Sequence, residues 1–169
     1  LYAPLEAGCT LIRNPQDLPD TFALHPDYYQ FDLEGDQPPT NYYELGLQNS
    51  RGFRALKVWL AFKQVGADAF VDMIRQDIQL AQAMRTAIQE HPELEALTCH
   101  LSITTFRYVP VYMKDTKAES KDYLNKLNAE LLHKLQEEGD VFVSNAVLRG
   151  QYALRACIVN FRTTLTQVE

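Results

Sequence analysis

The stretch Asn49-Ser50-Arg51-Gly52-Phe53-Arg54-Ala55-Leu56-Lys57-Val58-Trp59 decides how this chain is organised. It opens a predicted helix over about Ser50 to Val65. Arg54, Lys57, Ala61 and Gln64 form a narrow polar stripe on it, while Phe53, Leu56, Val58, Trp59, Leu60 and Phe62 cover the rest. A helix apolar over most of its circumference belongs between layers of structure. Its first residues are small and basic. Backbone N–H groups at a helix N-terminus attract anions, and Arg51 adds a fixed fork of donors. A solvated start to an ordinary helix has the same composition, so both readings stand.

Moving outward, Gly66 breaks the helix, and a second one is predicted from about Ala67 to Glu90. It carries Phe70, Ile74, Ile78, Ala81, Met84 and Ile88 at helical spacing, with Pro92 beyond its end. Two strands follow, about Leu94 to Thr98 and Leu101 to Tyr108. A third helix, about Ala118 to Glu138, places Leu124, Leu127, Leu131 and Leu135 on one face and stops at Gly139. Val141 to Leu148 and Gln151 to Asn160 read as a hairpin turning at Arg149-Gly150. Helices on one face of a largely antiparallel sheet make an α+β domain. Upstream, Gly8 to Ile12 reads as a strand. Residues 15 to 48 hold five prolines and, from Phe22 to Tyr43, six aromatic residues. A segment that long and irregular reads as a functional lid, because disordered linkers are poor in aromatics.

The bulk numbers exclude several classes. The 169 residues carry a net charge of −6, so no broad basic surface exists for nucleic acid. The longest apolar run, Val58 to Phe62, is far below the ~20 residues of a membrane span, and no secretion signal is expected. Cys9, Cys99 and Cys157 are odd in number and lack metal spacing, so buried, reduced thiols in a cytoplasmic protein are expected. The four histidines show no metal-ligand spacing, and no metal site is expected. Leu1-Tyr2-Ala3-Pro4 enters an ordered-looking segment at once, and Thr163 to Glu169 reads as a Thr-capped helix stopping after one turn. The chain is therefore expected to be a fragment of a longer polypeptide.

Arg155 is the clearest physical anomaly. It sits in Tyr152-Ala153-Leu154-Arg155-Ala156-Cys157-Ile158-Val159, otherwise apolar on both alternating faces. A guanidinium there needs an anionic partner: either an acidic residue of the protein or a ligand carboxylate. Arg107 poses the same question more weakly. Tyr28, in Leu24-His25-Pro26-Asp27-Tyr28-Tyr29, lies mid-lid. A phenol keeps its proton at neutral pH and can deliver it to a carbanion, or it can be a packing aromatic.

Residues 49 to 59 closely resemble the S/G-R-R-F-R-x-L-K-x-W signature of the group II pyridoxal-phosphate-dependent amino-acid decarboxylases, which include aromatic amino-acid, glutamate and diaminobutyrate decarboxylases. Leu1-Tyr2-Ala3-Pro4 resembles the continuation of that family's H-K-W-L segment, Leu24 to Tyr29 its mobile L-x-P-x-Y loop, and Tyr152 to Cys157 its F-x-L-R-x-x strand. The four matches run in order over nearly the whole chain.

The resemblance implies an α/β aminotransferase-like (fold type I) enzyme. Residues 1–48 would end the large cofactor domain, with a lid at about 20–40. Residues 49–169 would supply connecting helices and the α+β small domain, its final helix truncated. The cofactor would be pyridoxal 5′-phosphate, on a lysine two positions before Leu1 and absent from this chain. Tyr28 would protonate the substrate α-carbon after carbon dioxide leaves. Arg155 would anchor the substrate carboxylate, Ser50 and Leu5 would line the substrate pocket, and Arg51 would contribute to cofactor binding. Gly52, Leu5 and His25 depart from residues common in the aromatic branch, which bears on the substrate more than on the reaction. The expected whole is a cytoplasmic homodimer, inactive without its upstream portion. The alternatives are an aldehyde synthase or degenerate homologue of the same fold, whose synthase branch typically carries phenylalanine where Tyr28 stands, or a non-catalytic interaction module.

Overall fold

The computed structural model describes Tyr2 and residues 6–28, 40–114, 120–139 and 141–168. They fall into two compact units, Ala3–Ala61 and Leu1–Tyr2 with Phe62–Glu169.

In the first unit the strand expected at Gly8 to Ile12 does not form. A strand must place its N–H and C=O groups on a neighbour, and among the described residues none pairs with it. The proline-rich stretch is less irregular than expected. A short helix α1 (Asp17–Phe22) follows Asn14, whose side-chain amide donates to Asp17 Oδ1 at 2.7 Å. Pro19 is tolerated there because first-turn N–H groups have no helical acceptor, and Asp17 and Asp20 suit the positive end of the helix. A 3₁₀ turn at Tyr42–Leu45 comes later. Residues 29–39, the centre of the expected lid, lie outside the described residues.

Helix α2 (Ala55–Glu90) starts later than the sequence predicts and breaks where it predicts, at Gly66 with φ 80° and ψ 166°. Only glycine takes such a backbone without steric cost. The part before the break was expected to be buried. Instead Trp59 is 55% and Leu60 50% exposed.

The second unit is built on an antiparallel sheet of order β1-β2-β4-β3, with β1 (Leu94–His100), β2 (Ile103–Tyr108), β3 (Ser144–Leu148) and β4 (Gln151–Cys157). Leu148 pairs with Gln151 across Arg149-Gly150, at φ 50° and 76°. Two positive φ values in a two-residue loop match the twist of the flanking strands. On one sheet face Leu154 and Ala156 pack with Leu132 of α3 (Ser120–Glu138) and with Val143, while Met84 of α2 and Phe106 border them. A second cluster joins Leu80 and Ala81 of α2 to Ile158. Both helices therefore cover one face, as the α+β reading requires. Helix α3 ends as expected at Gly139, φ 81°. Near the C-terminus, α4 (Leu165–Val168) is capped by Gln167, whose side chain accepts the Thr164 N–H at 2.9 Å.

Two asparagines fix α3 across the sheet. Asn128 is fully buried, accepts the Tyr108 N–H at 2.7 Å and donates to the Tyr108 carbonyl at 2.9 Å. Asn125 accepts the Tyr152 N–H at 2.8 Å and donates to Gly150 O at 3.2 Å. The buried stripe therefore runs Leu124, Asn128, Leu132, while Leu127, expected on it, is only half-buried. Cysteine burial also differs from expectation: Cys9 and Cys157 are exposed and only Cys99 is half-buried, all three as free thiols.

Asn128→Leu keeps much of the volume but leaves both Tyr108 peptide groups without their partner. It is expected to cost about 2–4 kcal/mol in urea unfolding of the intact protein, comparable to Leu154→Ala at about 2–5 kcal/mol. A loss under 1 kcal/mol for Asn128→Leu would refute the clamp.

Candidate active site

Ser50 and Arg51 precede α2 by several residues, in an open lead-in through Phe53, so they are not at its first turn as the sequence suggested. Arg54 closes this lead-in through its N–H to Gly52 O at 2.8 Å. Its guanidinium lies 3.5 Å from Glu6. Ser50 and Arg51 line one open recess of about 370 Å³ together with Thr40, Asn41, Gln48 and Asn49. Its lining includes hydroxyl, amide and guanidinium donors, a set that suits an oxyanion such as phosphate or carboxylate. This donor chemistry fits the anionic end of pyridoxal phosphate, which Arg51 would hold.

Tyr28 follows α1 in a turn and is 79% exposed. The segment before it is tied down by Glu44, whose Oε1 lies 3.0 Å from His25 Nε2 and accepts from Asn41 Nδ2 at 3.1 Å. Hydrogen bonds from Asn41 and then from His25 hold the Glu44 carboxyl below the usual carboxylate range. No local pattern signals this tie, since its partners lie nineteen residues apart. Leu5, expected in the substrate pocket, lies outside the described residues.

Arg155 belongs to the second unit. It stands on β4 between Thr105 of β2 and Ser144 of β3, on the sheet face opposite the helices. It is half-buried, and its Nη1 donates to Ser144 Oγ at 3.4 Å. Among the described residues no carboxylate pairs with it, so the internal ion pair is not made there. Arg107 differs: its Nε meets Glu95, its cross-strand partner, at 2.5 Å. Thr98 and Thr105 join hydroxyls on the same face at 2.6 Å. That face therefore presents hydroxyls and one guanidinium without an acid, an arrangement able to receive a carboxylate.

Two further residues escaped the sequence reading. Asp77 sits within the apolar stripe of α2, 3% exposed, and its Oδ2 accepts the Tyr2 hydroxyl at 2.6 Å. An acid three residues after Ile74 and four before Ala81, inside an inward stripe, was the available signal.

Residues 1–109 match the model of the pyridoxal-dependent decarboxylase conserved domain. An aromatic-L-amino-acid decarboxylase of Bacillus atrophaeus is 35% identical over 169 residues, 99% of this chain and 34% of that protein. A phenylacetaldehyde synthase of a Rosa hybrid cultivar is 23% identical over 160 residues, 94% of this chain and 32% of that protein. The crystal structure of Oryza sativa TDC with PLP and tryptamine superposes with a TM-score of 0.79 at 19% identity, over 93% of this chain and 32% of that one. The chain spans about a third of the length of each. With a family model covering well over half its residues, the chain belongs to the pyridoxal-dependent decarboxylases.

Proposed function

We propose that this chain is part of a pyridoxal-phosphate-dependent L-amino-acid decarboxylase that releases carbon dioxide and forms an amine, with an aromatic amino acid as the substrate class. The observation that carries it, beside family membership, is Arg155: a half-buried guanidinium with hydroxyl neighbours and no carboxylate partner among the described residues. The substrate carboxylate is the anion it lacks. The 35% identical relative, an aromatic-L-amino-acid decarboxylase, supports the substrate class.

Pyridoxal phosphate, when bound, supplies the electron sink for loss of carbon dioxide. Its lysine is proposed to lie two positions before Leu1. Arg155 binds and orients the substrate carboxylate through its planar fork. Arg51 holds an oxyanion in the recess of the first unit, and Ser50, with Leu5, shapes the side-chain pocket. Tyr28 then donates its phenolic proton to the α-carbon, which regenerates an amine and not an aldehyde. The exposed Phe53, Trp59 and Leu60 call for a covering surface, supplied by the upstream polypeptide or a second subunit of a homodimer. No helix among the described residues is long and apolar enough to cross a membrane, and three free thiols support a cytoplasmic location.

An aldehyde synthase is the second reading, favoured by the named relative of that activity. Tyr28→Phe in the full-length protein separates the two. It is expected to lower amine formation about 10²- to 10³-fold, with aldehyde, ammonia and hydrogen peroxide rising in its place in air-equilibrated buffer, dioxygen being the oxidant. Unchanged amine output removes Tyr28 from the reaction. Arg155→Met is expected to raise KM for the amino acid at least ~10-fold, and Arg155→Lys to recover little of it, because an ammonium lacks the two-pronged geometry. Steady-state kinetics at fixed cofactor concentration checks both variants.

A further inference from the structure

We infer that Asp77, acting through Tyr2, is a positioning residue that fixes the segment carrying the cofactor lysine against helix α2. The inference rests on the functional reading above, in which that lysine lies three residues before Tyr2.

Tyr2 is held by two rings and one hydrogen bond. Its ring stacks on Phe70 with centroids 6.3 Å apart and meets the edge of Phe161 at 6.0 Å. Phe70 is buried and packs on Phe62 at 4.4 Å. The Tyr2 hydroxyl donates to Asp77 Oδ2 at 2.6 Å, a charge-assisted length. The backbone at Tyr2 is in the left-handed region, φ 50°, which a bulky residue adopts only when its surroundings dictate it.

Asp77 is a costly way to hold a tyrosine. It is 3% exposed, and its Oδ1 is buried without a hydrogen-bond partner among the described residues. The pair borders a recess of about 190 Å³ lined further by Ile74, Ile78, Leu101, Ser102 and Val159, mostly apolar walls that offer the carboxylate few protein donors. A leucine at this position would stabilise the helix more. What the carboxyl achieves instead is direction: it selects one position of the phenol and so of the backbone that bears it. Burial, and then the Asp77 hydrogen bond, push the Tyr2 phenol up to about 12, so the donor keeps its proton throughout the working pH range. Three residues of chain reach about 10 Å at most, so a shift at Tyr2 is transmitted to the lysine with little slack.

The test uses the full-length protein loaded with pyridoxal phosphate. Tyr2→Phe keeps the ring between Phe70 and Phe161 but takes the donor from the buried Asp77 carboxylate, so it is read beside Asp77→Asn, which lowers that charge cost. Asp77→Leu removes the acceptor, and Asp77→Asn retains an oxygen that can still accept from the phenol. Three quantities are read: the melting temperature, the dissociation constant for pyridoxal phosphate, and the pH at which the visible band of the bound cofactor titrates. Tyr2→Phe and Asp77→Leu are expected to weaken cofactor binding roughly tenfold and to shift the titration. Asp77→Asn should restore both toward the wild-type values. Unmoved cofactor affinity and titration in Tyr2→Phe and Asp77→Leu, whatever the melting temperature does, overturn this inference alone. A wild-type protein that takes up no pyridoxal phosphate overturns the functional reading as well.

Discussion

The register of β4 is the constraint on which the rest of the second unit depends. Side chains alternate along a strand, so placing Leu154 and Ala156 toward α3 sends Ala153 and Arg155 to the other face. A slip of one residue would drive the guanidinium among Leu132 and Val143, where an unpaired charge costs several kcal/mol. The turn at Arg149-Gly150 sets this register locally, and Asn125 secures it from the helix by holding both Gly150 O and the Tyr152 N–H. The same arrangement that closes the core thus delivers Arg155 to a face of hydroxyls.

The molecule separates groups that its own packing satisfies from groups that it leaves open. Asn128 spends its amide on the Tyr108 peptide and Leu124 O, so a fully buried polar side chain is matched on both ends. Arg107 finds Glu95. Arg155 finds no carboxylate and the second oxygen of Asp77 no hydrogen bond among the described residues, and Leu60 stays half exposed. Structural residues close their accounts internally, whereas these are the positions from which the chain addresses a ligand or the rest of its polypeptide.

Punctuation was legible from the sequence. Gly66 and Gly139 take the left-handed backbone where the helical patterns stop, and the Arg149-Gly150 hairpin forms where it was expected. The family match confirms what residues 49 to 59 suggested. What the sequence hid depends on distant partners. Burial of the helix at Trp59 was inferred from composition, but burial needs a covering surface that composition does not supply. Strand character at Gly8 to Ile12 likewise needs a neighbour for its backbone. Helix α1 escaped notice because Pro15 and Pro19 read as breakers, although both precede the point where an N–H is needed. Among site residues, Arg155 was legible because a charge interrupts an apolar run, and Tyr28, Ser50 and Arg51 were reached by resemblance. Asp77 and Tyr2 were missed because the hydrogen bond that explains them spans 75 positions.

The central claim is that a protein phenol, and not bulk water, delivers hydrogen to the α-carbon vacated by carbon dioxide. Turnover of an aromatic L-amino acid by the full-length protein and its Tyr28→Phe variant in deuterium oxide, with the amine analysed for deuterium at that carbon, tests it directly. The account predicts one deuterium per amine on a single face in the wild-type protein, and loss of that face-selective amine when the phenol is removed. Deuterium distributed over both faces, or no amine at all, from the wild-type protein would contradict it.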